Sequence, residues 1–461
     1  MKKALVISVL CILACTAAKA EGIFVETESF SNKGGWSLDQ QFTDLMGSPY
    51  LIAHGCGKPV ADATTEIEIP ADGTYHVYAR TFNWVSPWTS EEGPGAFRIR
   101  IAGRTLKPVL GTRGDRWMWQ CAGDVKLKAG HATLALSDLR GFDGRCDAIY
   151  LTSEEGDIPP ADMAGLEDFR RKTGAISPEP ADGGTYDLVV VGAGIGGMCA
   201  AVSAARFGCR VALVSDRLIP GGNNSSEVRV HLGGYIEMSP YRALGRMQRE
   251  FGHSRFGNAQ PASNYEDEKK TAFIESQEGL DYFPGWRAVK VNMKEGGLIG
   301  SVVVRNVESG REMTLSAPLF SDCTGDGNLG FMAGADWMMG REGRDEYGES
   351  LAPEHGDRRT MGASVQWYSV EGGKSSFPEF SYGVKFDEEN CRAVTMGEWT
   401  WETGMDRDQI WEAERIRDYG LLVIYSNWSF LKNRFSGKSD FAAEAKAHSD
   451  CPSGQEGGSL G

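Results

Sequence analysis

At 461 residues the chain is too long for one ordinary hydrophobic core, so two or three domains are expected. Its 48 basic residues against 63 acidic ones give a formal net charge of −15, which leaves no basic footprint for nucleic acid or for an anionic membrane surface. Small molecules or carbohydrates are the partners this balance favours.

The chain opens on Lys2-Lys3, an apolar run from Ala4 to about Ala17, and Ala18-Lys19-Ala20 before Glu21. That is the order of a secretory signal peptide over residues 1–20, with cleavage expected after Ala20. An uncleaved membrane anchor needs a longer span, and no later segment reads as transmembrane. Ile12-Leu13-Ala14-Cys15 loosely matches a lipoprotein cleavage box, so a lipid anchor at Cys15 is the alternative. Both routes predict an exported protein, periplasmic or secreted. Apart from Cys11 and Cys15, eight cysteines stand singly at 56, 121, 146, 199, 209, 323, 391 and 451, and none forms CxxC. Zinc and iron–sulfur sites draw on closely spaced ligands, so no metal is expected. Cys56, Cys121 and Cys146 offer a disulfide whose pairing the sequence leaves open, with buried thiols as the alternative.

From Ile23 to about Glu154, short β-rich runs alternate with Gly, Pro and Asp turns. Apolar and aromatic residues fall on alternate positions of Gly73 to Arg80, and similar runs are Ala96 to Ile101, Ala132 to Leu136 and Ala148 to Leu151. With no helical stretch between them, they predict an antiparallel β-sandwich over residues 22–154. Residues 155–185 carry Pro159-Pro160, Pro178, Pro180 and Gly183-Gly184, the composition of a linker around one short helix.

At Tyr186 the pattern changes to a continuous apolar strand, Leu188 to Val191, then a glycine turn and an alanine-rich helix. This predicts a parallel sheet covered on both faces. The turn Gly192-Ala193-Gly194-Ile195-Gly196-Gly197 fits GxGxxG, which 59 glycines in 461 positions produce about once by accident. Indeed Gly325-Asp326-Gly327-Asn328-Leu329-Gly330 fits it too. The first match stands apart by its setting: a strand before it, a helix over Met198 to Phe207 ended by Gly208, and a second strand over Arg210 to Val214. In such a dinucleotide-binding unit Gly192 makes the tight turn, Gly194 lets backbone approach a pyrophosphate, and Gly197 lets helix and strand pack closely. An acid for the ribose hydroxyls is expected at the end of the second strand, where Ser215 and Asp216 are the candidates.

Next comes Pro220-Gly221-Gly222-Asn223-Asn224-Ser225-Ser226-Glu227-Val228-Arg229-Val230-His231, a flexible turn followed by a row of hydrogen-bonding side chains. It resembles the signature of a family of bacterial FAD-dependent oxidoreductases. That family is frequent in polysaccharide-degrading bacteria and distantly similar to fumarate reductase flavoproteins and the flavin subunit of heterodisulfide reductase. Asp322 to Gly327, Met339 to Glu346 through Ser350 to Glu354, and Ile416 to Tyr419 extend the resemblance over residues 186 to about 434. The resemblance implies FAD as cofactor, with Thr324-Gly325 closing a strand (Pro318 to Asp322) beside it and the second glycine match serving as a flavin-contact turn. Gly221, Gly222, Asn223, Thr324, Gly325 and Asp326 thereby join the cofactor-binding set. Disulfide-type flavoenzymes carry paired cysteines after the Gly-Gly turn, whereas this chain has Asn223 and Asn224, so thiol–disulfide reduction is not expected. After Arg434 the sequence becomes Ser-, Ala- and Gly-rich, and residues 435–461 read as an aberrant or disordered tail left by a truncation or frameshift that weakens flavin binding.

The amino-terminal sandwich resembles galactose-binding-like modules in Phe24 to Glu28, Tyr75 to Arg80 and Asp143 to Leu151, and carbohydrate binding follows by analogy. Trp84 and Trp88 either stack a sugar ring or cap the core.

The expected whole is multidomain: an N-terminal antiparallel β-sandwich followed by an α/β Rossmann-like FAD-binding domain. Its expected reaction is oxidation of a carbohydrate or related alcohol by hydride transfer to flavin. Arg229 and His231 are the catalytic candidates, because an extended segment would put both on one face; His231 as a structural hydrogen bonder is the alternative. Arg341, Arg344, Asp345 and Glu346 read as surface charges. The rival functions are an NAD-dependent dehydrogenase and a non-catalytic carbohydrate-binding protein with a defective flavin domain.

Overall fold

The computed structural model describes residues 22–234, 237–365, 367–368, 376–392, 396–397 and 401–435. The expected signal segment with Cys15, and all of the expected tail 435–461 except its first residue, lie outside the described residues, Cys451 included.

The amino-terminal domain is built from β1 (Ile23–Glu26), β2 (Ser37–Asp39), the single helical turn α1 (Thr43–Met46), β3 (Tyr50–Ala53), β4 (Ala63–Ile69), β5 (Gly73–Thr81), β6 (Phe97–Ile101), β7 (Arg104–Thr105), β8 (Met118–Leu127), β9 (Gly130–Asp138), β10 (Gly144–Cys146) and β11 (Ala148–Thr152). All pairings are antiparallel, in sheets ordered β1-β11-β5-β8, β4-β9-β6-β7 and β10-β3-β2. Alternate side chains explain the layering. Tyr75, Val77 and Ala79 of β5 face Phe97, Ile99 and Ile101 of β6 and Leu134 and Leu136 of β9 across one buried core. Each of the Val, Ile, Leu and Phe side chains among them stabilises the sandwich by about 1.5–3 kcal/mol on burial. Cys121 and Cys146 stand as free thiols among the described residues, so that pair of the three cysteines is not bridged, and Cys56 and Cys146 are buried.

Residues 155–185 do more than link. Helix α2 (Met163–Thr173) starts where Asp162 accepts a hydrogen bond from the Gly165 N–H at 2.9 Å and stops at Gly174, φ 78°. Its buried Arg170 donates to Ser48 and Asp147 of the sandwich at 2.6 and 3.1 Å. Then β12 (Ala181–Thr185) pairs in parallel with β18 (Glu312–Ser316), so the glycine-rich end of the expected linker is a sheet edge of the second domain.

That domain continues with β13 (Leu188–Val191), α3 (Ile195–Arg206), β14 (Val211–Ser215), α4 (Gly245–Phe251), α5 (Asp267–Glu275), β15 (Leu280–Pro284), β16 (Trp286–Met293), β17 (Ile299–Asn306), β18, β19 (Leu319–Asp322), α6 (Asn328–Met332), α7 (Arg344–Tyr347) and the long α8 (Ala413–Asn433). A parallel sheet runs β15-β14-β13-β19, and a second sheet runs β12-β18-β17-β16. One face of the parallel sheet, through Val190, Val211 and Leu213, packs on Met198, Ala201 and Val202 of α3 and on Phe251 and Ile274. The other, through Val189, Val191, Ala212 and Val214, packs on Val302, Val304 and Leu315 of the second sheet. Both faces are therefore buried, which is why these strands read as unbroken apolar runs.

Helix α8 lies on the sandwich. Trp84, Phe142, Phe380, Leu421, Tyr425 and Trp428 form a shared core, and the Trp84 indole N–H donates to the Phe142 carbonyl at 3.0 Å. Trp84 is buried under α8 and offers no face for a sugar; Trp88, half-buried, packs 5.6 Å from the Tyr419 ring. Beside this core the fully buried Arg145 donates to both carboxylate oxygens of Asp418, each at 3.1 Å, and to Glu414 at 3.0 Å. Arg417 reaches Asp39 and the Tyr50 hydroxyl in turn. Charges this far from water persist only when each has a partner of good geometry. Among the described residues no helix is long and apolar enough to cross a membrane.

Candidate functional site

Three turns from separate parts of the chain meet at the carboxyl end of the parallel sheet. The first leaves β13 at Gly192, φ 104°, where a Cβ would lie 2.1 Å from the Cys323 carbonyl oxygen. Gly194 caps α3 with φ −65°, and Gly197 sits one turn inside, where a Cβ would lie 1.8 Å from the Gly192 oxygen. Gly197 thus packs helix on turn, while Gly194 and Ile195 at the α3 amino end border the open space in front of it. The second turn folds over the first: the Gly221 N–H donates to the Ala193 carbonyl at 2.8 Å, and Gly222, φ 57°, lies with its absent Cβ 3.1 Å from the Gly194 Cα. In the third, Asp322 accepts from the Thr324 N–H at 3.0 Å, the Thr324 hydroxyl at 2.7 Å and the Gly330 N–H at 2.8 Å, which ties the end of β19 to α6.

The turns border a cavity of about 780 Å³, within the range of about 300–1,000 Å³ usual for small-molecule sites. Of the expected cofactor-binding residues, Gly192, Gly194, Ser215, Asp216, Gly221, Gly222, Asn223, Thr324, Gly325 and Asp326 all line it. Gly197 does not, in keeping with its packing position. Ser215 is buried and accepts from the Arg217 N–H at 3.3 Å, whereas the carboxylate of Asp216 meets the Arg287 guanidinium at 2.7 Å. Burial raises the pKa of Asp326, and the carboxylates of Asp44 and Asp216 add to that effect while Arg287 opposes it.

The two catalytic candidates part company. Arg229 has φ 61°, a left-handed conformation that breaks the alternation of an extended segment, so its side chain does not share a face with His231. Its guanidinium donates to the carbonyls of Ser226 and Gln260 at 2.9 and 3.2 Å, and its own carbonyl accepts from the Tyr265 hydroxyl at 2.6 Å. Arg229 is a buried clamp of the loop and is absent from the cavity lining. His231 does line the cavity. Its Nδ1 lies 2.8 Å from Asn258 Oδ1, which also accepts from the His231 backbone N–H at 3.0 Å. With the proton on Nδ1, the Nε2 lone pair is the ring's acceptor.

Two groups of residues escaped the sequence reading. Lys270, fully buried beneath the Gly221 turn, donates to the Tyr265 carbonyl and sits 3.4 Å from Asp267; burial lowers its pKa against the pull of Asp267. The other group is Gln41, Phe42, Asp44 and Leu45 from the sandwich, together with Arg287 of β16 and Gln409 and Ile410 before α8. None carries a local motif. The surface reading of Arg341 holds, since it pairs with Asp357 in the open.

The donor set suits an extended ligand that is anionic at its middle and rich in hydroxyls. An open helix end flanked by Gly194, at which an added Cβ would meet nothing closer than 4.0 Å, leaves room for a phosphate to approach backbone. The buried Asn224 Oδ1, which has no partner among the described residues, adds an acceptor at the same turn.

A family model described as "FAD dependent oxidoreductase" matches residues 187–440. No curated protein matches the chain. Among solved structures, a family 35 carbohydrate binding module from Clostridium thermocellum is 19% identical with TM-score 0.24, over 29% of this chain and 100% of that one. Thermovibrio ammonificans THI4 is 18% identical with TM-score 0.26, over 42% of this chain and 81% of its own. Mycobacterium smegmatis Sdh1 is 16% identical with TM-score 0.21, over 30% of this chain and 33% of its own.

Proposed function

The chain belongs to the FAD dependent oxidoreductase family, and on that premise we propose that the cavity holds FAD and that the protein oxidises an alcohol carbon of a carbohydrate or related polyol. What supports this is one observation above all: three glycine turns distant in sequence converge, with a helix amino terminus, on a single cavity. Gly194, Gly221 and Gly222 with the first N–H groups of α3 would hold the pyrophosphate of a Rossmann-like FAD site, as bare backbone allows. Asp216 would accept from the ribose hydroxyls, and Thr324, Gly325 and Asp326 would lie against the remaining length of the cofactor. The bound flavin supplies a two-electron acceptor.

The chain's own contribution to the reaction is orientation and a base. Asn258 fixes the His231 ring with Nε2 as acceptor, which suits removal of a hydroxyl proton from the substrate. The Phe256 ring, edge-on at 6.3 Å, limits the tilt of that imidazole. The substrate class draws on the resemblance of residues 22–154 to galactose-binding-like modules, and export draws on the signal-like first twenty residues.

Anaerobic addition of aldoses and polyols to the FAD-loaded full chain tests the reaction. Bleaching of the oxidised flavin spectrum by one of them, slowed about 100-fold or more in His231→Gln, is the expected result. Bleaching only by non-carbohydrate reductants would reject the substrate class, and an unaffected His231→Gln would remove the base.

A further inference from the structure

One wall of the cavity comes from the sandwich. Between β2 and β3 the chain runs through Gln41, Phe42, Asp44 and Leu45, all of which line the space that the glycine turns border. The helical turn α1 within this stretch has four residues, far too few to hold its own shape. Arginines from outside the sandwich strands hold it instead. Arg417 of α8 lies 4.6 Å over the Phe42 ring. Arg170 of α2 donates to the Met46 carbonyl at 3.3 Å and Arg305 of β17 to the Gly47 carbonyl at 3.2 Å, cations placed where a helix end carries partial negative charge.

The fourth arginine, Arg287, connects α1 to the expected ribose site. Its Nη1 donates to Asp216 at 2.7 Å and its Nη2 to Asp44, so that one buried guanidinium is shared between a carboxylate from each domain. A guanidinium is a rigid planar fork, and fixing one tine fixes the direction of the other. Asp216 directly follows the last residue of β14, and with Arg287 held by Asp44 its carboxylate is kept at the cavity instead of turning to solvent. Two carboxylates on one guanidinium also leave a net negative charge, which suits hydroxyl donors.

We infer, on the reading of the cavity as an FAD site, that Asp44 and Arg287 are positioning residues that hold Asp216 for the adenosine ribose, making the sandwich a wall of the cofactor site. Asp44 acts through Arg287, and Arg287 through Asp216.

The test titrates the full chain with FAD and, separately, with FMN, which lacks the adenosine ribose. Wild type, Asp44→Asn, Arg287→Lys and Asp216→Asn are compared, and thermal midpoints report folding. The FAD dissociation constant rises about tenfold in Asp44→Asn, the amount a lost charge-assisted hydrogen bond carries, while FMN affinity is unchanged. Asp44→Asn adds little to Asp216→Asn in the double variant, because both act on one contact. Wild-type FAD binding with an Asp44→Asn chain that binds FAD equally well, or that loses FAD and FMN in parallel, overturns the proposal alone. A wild-type chain that takes up neither FAD nor FMN overturns the cofactor reading and the proposal together.

Discussion

The two walls of the cavity follow opposite physical plans. On the glycine wall backbone meets backbone, and at Gly192 and Gly197 a single added carbon would fall 2.1 and 1.8 Å from a carbonyl oxygen. On the sandwich wall, side chains meet as ions: Asp44 with Arg287, and deeper in the junction Arg145 with Asp418 and Glu414. At those two positions the first wall tolerates no added atom, and at its ion pairs the second tolerates no removed charge. A ligand enclosed between them meets immobile N–H groups on one side and carboxylates held by arginines on the other.

The largest effect should come from the junction. Arg145→Met leaves the buried Asp418 and the partly buried Glu414 with fewer counter-charges, and breaking such a pair costs about 3–5 kcal/mol. A urea midpoint in the variant equal to that of wild type would show that the junction ions are dispensable, and the contrast between the walls would fail. Next comes Gly197→Ala, in which the methyl meets the Gly192 oxygen; it should lower stability by about 3 kcal/mol, read in the same way. A smaller effect is the pH dependence of the His54–Asp143 pair, which Tyr425 of α8 joins through its hydroxyl, 3.2 Å from Asp143. Burial disfavours the charged His54 ring, but Asp143 at 2.5 Å outweighs it and raises the pKa from 6.5 to about 9. Because the folded value exceeds the unfolded one, this stabilisation is complete below about pH 6.5 and disappears as pH rises through about 9. Stability should fall by on the order of 1–3 kcal/mol across that window, and unfolding of His54→Gln should lack the slope. The smallest effect on folding belongs to Gly194→Ala: at φ −65°, with open space beside it, it should stay within about 0.5 kcal/mol of wild type. The same methyl projects toward the expected pyrophosphate and should weaken FAD binding. Gly194→Ala and Gly197→Ala with equal midpoints would erase the distinction between a ligand-facing glycine and a packing one.

The two walls also differ in how much of them is legible in the sequence. The glycine wall is written locally: an apolar strand, a turn and an alanine-rich helix lie within residues 188–206, and GGNNSSE supplies the fold-over turn. The sandwich wall is not, because Asp44 and Arg287 are 243 positions apart and each looks like an ordinary surface charge in its own neighbourhood. A four-residue α1 is shorter than any periodicity can register. Arg229 stands outside the cavity lining, where the sequence expected it beside His231, for a related reason. Its left-handed backbone follows from how Tyr265 and Ala259 grip its carbonyl, contacts from a distant segment. Residues 181–185 escaped notice as a strand because Asp182-Gly183-Gly184 has no apolar alternation; the pairing with β18 alone makes them extended. Of the three cysteines offered for a disulfide, Cys121 is exposed while Cys56 and Cys146 are buried, a difference in burial that single cysteines in unrelated stretches do not announce.

The central claim is that the space between these walls binds FAD. Its most direct test is the visible absorption spectrum of the purified full chain before and after denaturation, with the released molecule identified by chromatography and the colourless form retested after incubation with FAD. An oxidised-flavin spectrum, acquired in the cell or on incubation, with FAD released on unfolding, is the predicted result. A chain that is colourless, folded by its thermal transition, and unchanged in spectrum and midpoint by saturating FAD would contradict it.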